Sequence, residues 1–558
     1  MAPRAEHWTE QVADRVIAAA GEGKGDDAPI VVASGISPSG PIHLGNLREV
    51  LTPYFVAEAI ARRGRPVEHI HSWDDLDRFR KVPAGAPLEL EQHIGKPLVD
   101  VPDPWGCHGS YADHFVAGFD ESLAALGVRP RQIRQAPAYR AGTYGPSVVR
   151  AMERRTEIFD VLAGHQTADR HDRPLEERRR EYYPLRVYCE ACGTDDTVVT
   201  DYAEATHVAR YRCNRDGTEG EVDVAGPMNA KLVWKVDWPM RWAWEGVDFE
   251  PAGADHSTPG SSRDVGVQLV RLVFDAEPPE YLAYAFVGAA GRSKMSSSLG
   301  EAPVPALALE VMEPPIVRWL YARRRPEQSF SIGFGKEIIR LYDEWDAFRR
   351  RAAEAEGADA ELLALATTSR DAPVVQTPHP MPFRIVAAVS DLTQGDPEQM
   401  RRILAAHADD PARFDLAQLE PRLSCARTWT LRYEPEDERT HVREEFAADV
   451  WEELPEDGRR GVRLLVDDLE RDWTLEGLTA LLYGVPKRLR GLPEDAEPDA
   501  ELKQAQRAFF AALYRLLVGD DTGPRLPTLL LSLGPERVRS LLAPPLRAGD
   551  QPGSSASS

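Results

Sequence analysis

The spacing of apolar positions changes several times along the chain, and each change predicts an element. Trp8 to Ala20 keeps a helical period and reads as a short amphipathic helix. The unbroken apolar run "PIVVAS", Pro29 to Ser34, reads as a buried strand. A stretch rich in Gly, Pro and Ser follows. Apolar or small residues at Leu47, Val50, Leu51, Tyr54 and Ala57 then restore a helical period, and Gly64 supplies a C-terminal stop. "PVEHIHSW", Pro66 to Trp73, is the next strand. Strand, helix and strand in this order predict a βαβ unit, and so a Rossmann-type parallel sheet in an α/β domain.

Over 95–230 the periodicity is less steady, and Pro, Gly, His, Cys and charge accumulate; this reads as an inserted α+β region. "KLVWKVDWPMRW", Lys231 to Trp242, returns to a β-like composition, and "EYLAYAFVG", Glu280 to Gly288, is a further strand candidate. From about Pro314 the pattern turns helical. Ile338, Leu341, Tyr342, Trp345 and Phe348 form one stripe, and "FRIVAAVSDL", "RRGVRLLVDDL" and "AQRAFFAALYRLLVG" repeat the pattern. The expected organisation is a Rossmann domain over 1–94 and 231–313, interrupted by the 95–230 insertion and followed by an all-α region over 314–545. Residues 546–558, ending "DQPGSSASS", have the composition of a disordered tail.

Length and composition fit this picture. A chain of 558 residues, 42% hydrophobic and 8% aromatic, is expected to fold as several globular domains. No apolar run is long enough to cross a bilayer, and the opening "MAPRAEHWTEQVADRV" lacks a signal-peptide core, so the expectation is a cytoplasmic protein with no membrane partner. Five cysteines cannot make a disulfide framework in a chain this long. A net charge of -23 argues by itself against a nucleic-acid partner. Basic runs at Arg178 to Arg180, Arg323 to Arg325 and Arg349 to Arg351 weaken that argument, although each is also ordinary for a solvated helix face. Charge therefore leaves the partner open.

The stretch "GISPSGPIHLGN", Gly35 to Asn46, leaves the first strand and enters the first helix of the βαβ unit. That places it at the carboxyl edge of the sheet, where ligands of such folds bind. Gly35, Gly40 and Gly45 let the backbone turn tightly, and amides at the helix start favour phosphate. His43 and Asn46 add side-chain donors. The stretch is neither a P-loop nor a GxGxxG fingerprint, and alone it is also what many strand-to-helix turns look like. A second stretch, "GRSKMSSSLG" at Gly291 to Gly300, offers a cation, Lys294, followed by Met295 and the hydroxyls of Ser296, Ser297 and Ser298. Read singly, it fits a polar surface loop equally well.

Together and in this order, "HLGN" and "KMSSS" resemble the HIGH and KMSKS motifs of class I aminoacyl-tRNA synthetases. Asn46 stands for the second His and Ser297 for the second Lys. The resemblance implies that Pro38, His43, Gly45, Asn46, Lys294, Met295, Ser296, Ser297 and Ser298 contact ATP, used with Mg2+ as a substrate. It implies adenylate formation, in which an amino-acid carboxylate attacks the α-phosphate and pyrophosphate leaves, with the protein positioning groups and stabilising charge. Adding "SWDDLDRFRKVP" (Ser72 to Pro83) and "VDWPMRWAWEGVDFEPAGADH" (Val236 to His256), the chain resembles class I lysyl-tRNA synthetases from its N-terminus to about residue 540. The implied substrates are L-lysine, ATP and tRNA(Lys), with a monomer favoured. The implied lysine pocket uses Gly35, Ser37, Trp238, Asp255, His256 and Tyr284; a desolvated ammonium needs such pairing or stacking groups.

Cys189, Cys192 and Cys213 have zinc-like spacing and need a fourth ligand, for which His207 and Asp216 are the candidates. Asp103, Cys107, His108 and His114 form a second mixed cluster, which the resemblance makes a zinc site. One or two zinc ions per chain are expected. In the helical region, expected to bind the anticodon, Trp429, Arg432, Tyr433 and Arg525 are candidates for stacking unpaired bases. Two alternatives remain at this point: a ligase of the same fold with another amino acid or a non-tRNA acceptor, and a non-catalytic RNA-binding or sensor protein.

Overall fold

Val12, Ala13, Val16 and Ala20 bury one face of helix α1, Trp8–Gly21, as their period requires. Strand β1, Ile30–Ile36, follows. Helix α2, Leu44–Arg62, then leads to strand β2, Val67–Trp73, which pairs with β1 in parallel, Ile30 opposite Val67 and Ile36 opposite Trp73. On the other edge of β1 a parallel bridge joins Val32 to Phe249, and a further one joins Phe249 to Glu280. A strand flanked on both edges and covered on both faces gains nothing from polar alternation, which is why "PIVVAS" reads as one apolar run. The computed structural model describes residues 6–21, 23–165, 173–256, 258, 260–289, 303–378, 380–393, 396–408, 410–435 and 439–544. It divides into two units, Met1–Gly333 with Ala347–Val375, and Phe334–Asp346 with Gln376–Ser558.

Several expectations for the first unit need correction. Helix α3, Tyr111–Ala125, and strand β3, Arg131–Arg134, lie inside 95–230 yet belong to the sheet, because β3 pairs in parallel with β2. The segment "RQIR" has one apolar residue and partly exposed side chains, so its sequence carries no strand signal. The inserted part follows it. Helices α4 (Gln135–Arg140), α5 (Gly145–Glu153), α6 (Arg155–Gly164) and α7 (Leu175–Arg180) precede β4 (Leu185–Val187). Next comes an antiparallel meander of β5 (Thr197–Ala203), β6 (Val208–Cys213) and β7 (Glu219–Asp223), and then β8 (Ala230–Leu232), which pairs with β4.

The second correction concerns Lys231 to Trp242. Only its first residues are extended; Trp234–Glu245 is helix α8. Trp234, Trp238 and Trp242 are four residues apart, so a helix stacks their indoles on one face: Trp234 and Trp238 lie parallel with ring centres 5.2 Å apart. Aromatic content suggests a strand here, but the four-residue spacing decides for a helix. Gly246, at φ +62, closes it in the left-handed cap that favours glycine.

Strand β9 (Ala252–Gly253), helix α9 (Ser262–Phe274) and the paired strand β10 (Ala283–Tyr284) follow. Strand β11, Val287–Ala289, pairs with β12, Phe330–Ile332, so "EYLAYAFVG" forms two short strands. Helices α10 (Pro305–Leu309) and α11 (Pro314–Ala322) lie between them in sequence. Residues 314–333 and 347–375, which the sequence groups with the C-terminal helices, belong to the first unit. Helix α12, Glu337–Ala352, has residues in both.

In the second unit the regular elements among the described residues are helices. Phe383–Leu392 and Arg422–Arg432 pack on the first part of α12, where Tyr342 stacks on Phe383 and Arg422 makes a double ion pair with Asp346 at 2.8 Å. Further on, Val462, Leu465, Leu482, Leu513, Leu529 and Leu541 share one core. No helix among the described residues is long and apolar enough to cross a membrane.

Candidate active site

The opening loop ends in a reciprocal cap. His43 is the N-cap of α2: its Nδ1 accepts the Asn46 amide at 3.3 Å, and Asn46 Oδ1 accepts the His43 amide at 3.2 Å. An accepting Nδ1 leaves the proton on Nε2, which makes that nitrogen the donor on the other side of the ring. Gly45 follows from the same geometry, since a Cβ there would lie 2.8 Å from the His43 ring. The helix start is less open to phosphate than the sequence suggests: the Asn46 amide is used by the cap, and the Leu44 amide donates to Pro303 O at 2.9 Å. Lys294, Met295, Ser296, Ser297 and Ser298 lie outside the described residues.

At the end of β1, Gly35 lines two cavities. The smaller, about 100 Å3, is bounded by Gly35, Glu49, Trp238, Trp242, Glu250 and His256 among others. Glu250 is buried, and its Oε2 accepts the indole N–H of Trp238 at 3.0 Å and of Trp242 at 2.5 Å. Burial raises its carboxyl, while Arg241 and the two indoles oppose the rise. Trp238 meets the His256 ring edge-on at 5.7 Å. Glu49 differs from Glu250. It accepts the Tyr284 hydroxyl, but among the described residues no ion pair reaches it. Loss of solvent, then the neighbouring Glu250, pushes its carboxyl well above the usual range, with the Gly35 amide opposing. Of the expected lysine-binding residues, Gly35, Trp238 and His256 line this cavity, and Tyr284 reaches it through Glu49. Asp255 is exposed on the turn Ala254–His256 and is not a wall residue.

The larger cavity, about 720 Å3, opens beside Gly35 and Ser37 and is polar, with Arg78, Arg80 and Arg186 among its walls. Its floor is a buried charge network. Lys231 sits 2.7 Å from Asp77, 3.8 Å from Asp74 and 3.7 Å from Asp237; Arg241 sits 3.1 Å from Asp74 and 3.3 Å from Asp237. Tyr139 donates to Asp237 at 2.5 Å. Burial pushes Asp74 up to about 6 despite both cations, and the three carboxylates raise Lys231.

Two sets of metal-type donors are not among the residues that line these cavities. The ligand atoms of Cys189, Cys192, Cys213 and Asp216 all fall within 4.8 Å of one another. Gly193 and Gly217, both at positive φ, close the two turns, with Gly193 N on Cys189 O at 2.8 Å and Gly217 N on Cys213 O at 3.2 Å. Asp216, not His207, stands fourth; His207 sits at the β5–β6 turn beside Tyr202. Asp103, Cys107, His108 and His114 form the second set, also within 4.8 Å. There Cys107 Sγ lies 3.1 Å from His108 Nδ1 and 3.2 Å from His114 Nδ1, and Asp103 accepts the Cys107 and His108 amides. Three thiols with a carboxylate, and a thiol and two imidazoles with a carboxylate, are both donor sets that suit zinc.

Residues 6–370 match the family model described as tRNA synthetases class I (K). A protein of Streptomyces coelicolor named "Lysine--tRNA ligase" is 47% identical, covering 96% of this chain and 98% of its own. The chain belongs to the class I (K) tRNA synthetases. A Pyrococcus horikoshii protein of the same name is 36% identical over 94% of this chain and 97% of its own. A solved glutamate tRNA ligase from Elizabethkingia meningosepticum covers 92% of this chain and 98% of its own at 14% identity, with a TM-score of 0.41, too low to bear on the site.

Within this class I synthetase, one of the residues expected to stack anticodon bases must be corrected. Trp429 is 2% exposed, and its indole donates to the carbonyls of Phe334 and Gly335, so its ring is core. Tyr433 is half-buried and stacks on Phe334, while Arg432 and Arg525 are exposed. Glu49, Arg241 and Glu250 were missed from sequence. The available signal was Glu49 itself, an acid on a helix whose neighbours Leu47, Arg48, Val50 and Leu51 are all buried.

Proposed function

We infer that the protein is a lysine–tRNA ligase, activating L-lysine with ATP and transferring it to the 3′ end of tRNA(Lys) for protein synthesis. The observation that carries the amino-acid choice is Glu49, a carboxylate on the wall of a small cavity with no ion-pair partner among the described residues; Arg241 lines the same cavity but pairs with Asp74 and Asp237. A lysine ammonium placed there pairs with Glu49 and with the Tyr284 hydroxyl, while Trp238 and Trp242 enclose its methylenes. The α-amino and carboxylate groups are assigned to Gly35 and His256 on the wall of this cavity and to Ser37 beside the larger one. His43 Nε2–H and Asn46 face ATP with Lys294, Met295 and Ser296 to Ser298, and Pro38 belongs to the same loop. The lysine carboxylate oxygen bonds to the α-phosphorus as the bond to the bridging oxygen breaks, and pyrophosphate leaves with Mg2+ and cationic groups taking its charge. A ribose hydroxyl of the tRNA then attacks the carbonyl carbon, and AMP departs.

Two zinc ions fit the donor sets; one would hold the loop that enters α3, and the other the turns of the inserted region. The reading assigns catalysis to the parallel sheet through β3 together with residues 231–313, the acceptor stem to the region inserted after β3, and the anticodon to the helices of the second unit. It also keeps a cytoplasmic monomer without membrane partners. Attachment of radiolabelled lysine to tRNA tests the reading. Charging with lysine above the other nineteen amino acids is expected; faster charging with glutamate or arginine would overturn it.

A further inference from the structure

Arg48 is the residue the mechanism above leaves unused. It lies on α2, five residues after His43 and one before Glu49, and is 3% exposed. A buried guanidinium is normally matched by a carboxylate. Among the described residues Arg48 has no ion pair; it donates to four backbone carbonyls. Its Nη1 reaches Ala285 O at 2.8 Å and Gln328 O at 3.0 Å, and its Nη2 reaches Pro326 O at 2.9 Å and Arg325 O at 3.1 Å. The Phe330 ring lies 5.4 Å from its Cζ. Burial lowers the group to about 10, with Tyr321 and the more distant Glu327 opposing. A chain that needed only packing here would hold an apolar residue, so the retained charge specifies a geometry.

That geometry is the relation of two segments to the HLGN helix. The Ala285 amide itself donates to Pro326 O at 2.8 Å, and Val287–Ala289 pairs with Phe330–Ile332, so one guanidinium fixes both partners of this small sheet to the second turn of α2. A second tie joins the first turn: Leu44 N donates to Pro303 O, and the Tyr321 hydroxyl donates to Leu44 O at 2.6 Å. In sequence, Ala285 precedes and Pro303 follows the stretch that carries Lys294. We propose that Arg48 is a positioning residue for ATP, setting the distance between the His43–Asn46 cap and strand Val287–Ala289. It rests on the assignment of ATP to the His43–Asn46 cap. Lysine is held through Glu49, Glu250 and Tyr284, and Tyr284 has an anchor other than Arg48 in the pairing of Ala283–Tyr284 with Ala252–Gly253.

The test separates the two ligands. Arg48→Ala and the milder Arg48→Lys are compared with the parent in lysine-dependent ATP–pyrophosphate exchange with tRNA present, and lysine affinity is read separately by calorimetry. The expected result is a rise in KM for ATP or a fall in exchange turnover of about tenfold or more, up to the roughly 10²-fold that a misplacement near 1 Å can cost. Lysine affinity stays within about twofold of the parent, and added methylguanidinium restores part of the exchange in Arg48→Ala. If Arg48→Ala loses its fold, Arg48→Lys decides by the same readings. ATP parameters within about twofold of the parent overturn the proposal, and so does lysine affinity falling in step with that for ATP. Absence of lysine-dependent exchange in the parent protein overturns the ligase reading instead.

Discussion

The two cavities that meet at Gly35 treat charge in opposite ways. Beneath the larger one Lys231 faces Asp74, Asp77 and Asp237, Arg241 reaches Asp74 and Asp237 from the wall of the smaller one, and each of these carboxylates has a cation within 4 Å. Beside the smaller one, Glu250 is answered by Arg241 and two indole N–H groups, but Glu49 has only a hydroxyl and a backbone amide. Both regions contain buried acids at the end of the same strand. The difference separates a scaffold from a binding site: a balanced network holds its own shape, and a carboxylate left over calls for a cation from outside.

The sharpest way to break this contrast is to neutralise one acid in each region. Glu49→Gln is expected to raise the KM for lysine by about 10³-fold in ATP–pyrophosphate exchange, since a substrate ammonium would be desolvated without its partner. Asp74→Asn is expected to lower the Tm and to leave the preference for lysine over norleucine intact. His43→Ala removes the cap and the Nε2 donor together, and adenylate formation should fall by about 10²-fold while lysine affinity holds.

A pH series sharpens the contrast further. The Glu49 carboxyl is raised in the empty protein. Its contribution to stability is therefore fully present below the ordinary carboxylate pKa and is lost as pH rises through the raised value. Lysine supplies the missing cation at the high end of that window. The increase in Tm on adding lysine should therefore grow as pH rises, and in Glu49→Gln it should stay flat. The smallest expected effect lies in the inserted region. Cys213→Ser should cost one zinc per chain by metal analysis, and His207→Ala should cost none.

The parallel βαβ unit was legible because β1 and α2 are buried nearly all round and so carry strong apolar patterns. Strand β3 was not, because an edge strand with exposed arginines has little pattern to read. The helix carrying Trp234, Trp238 and Trp242 was hidden by its aromatic content, although the four-residue spacing was available. The loop residues His43, Gly45 and Asn46 could be picked from sequence, but their cap depends on the rotamer of one imidazole. Glu49 was invisible as a site residue because its significance comes from what is absent around it. Trp429 was misjudged for the opposite reason: a tryptophan near arginines looks like a stacking surface until its indole is found bonded to two carbonyls of its own unit.

The central claim is that Glu49 selects the lysine ammonium. Calorimetric titration of lysine and of norleucine, its shape without the ammonium, into the parent and into Glu49→Gln tests it most directly. The account predicts a strong preference for lysine in the parent that collapses in the variant. An unchanged preference in Glu49→Gln would contradict it.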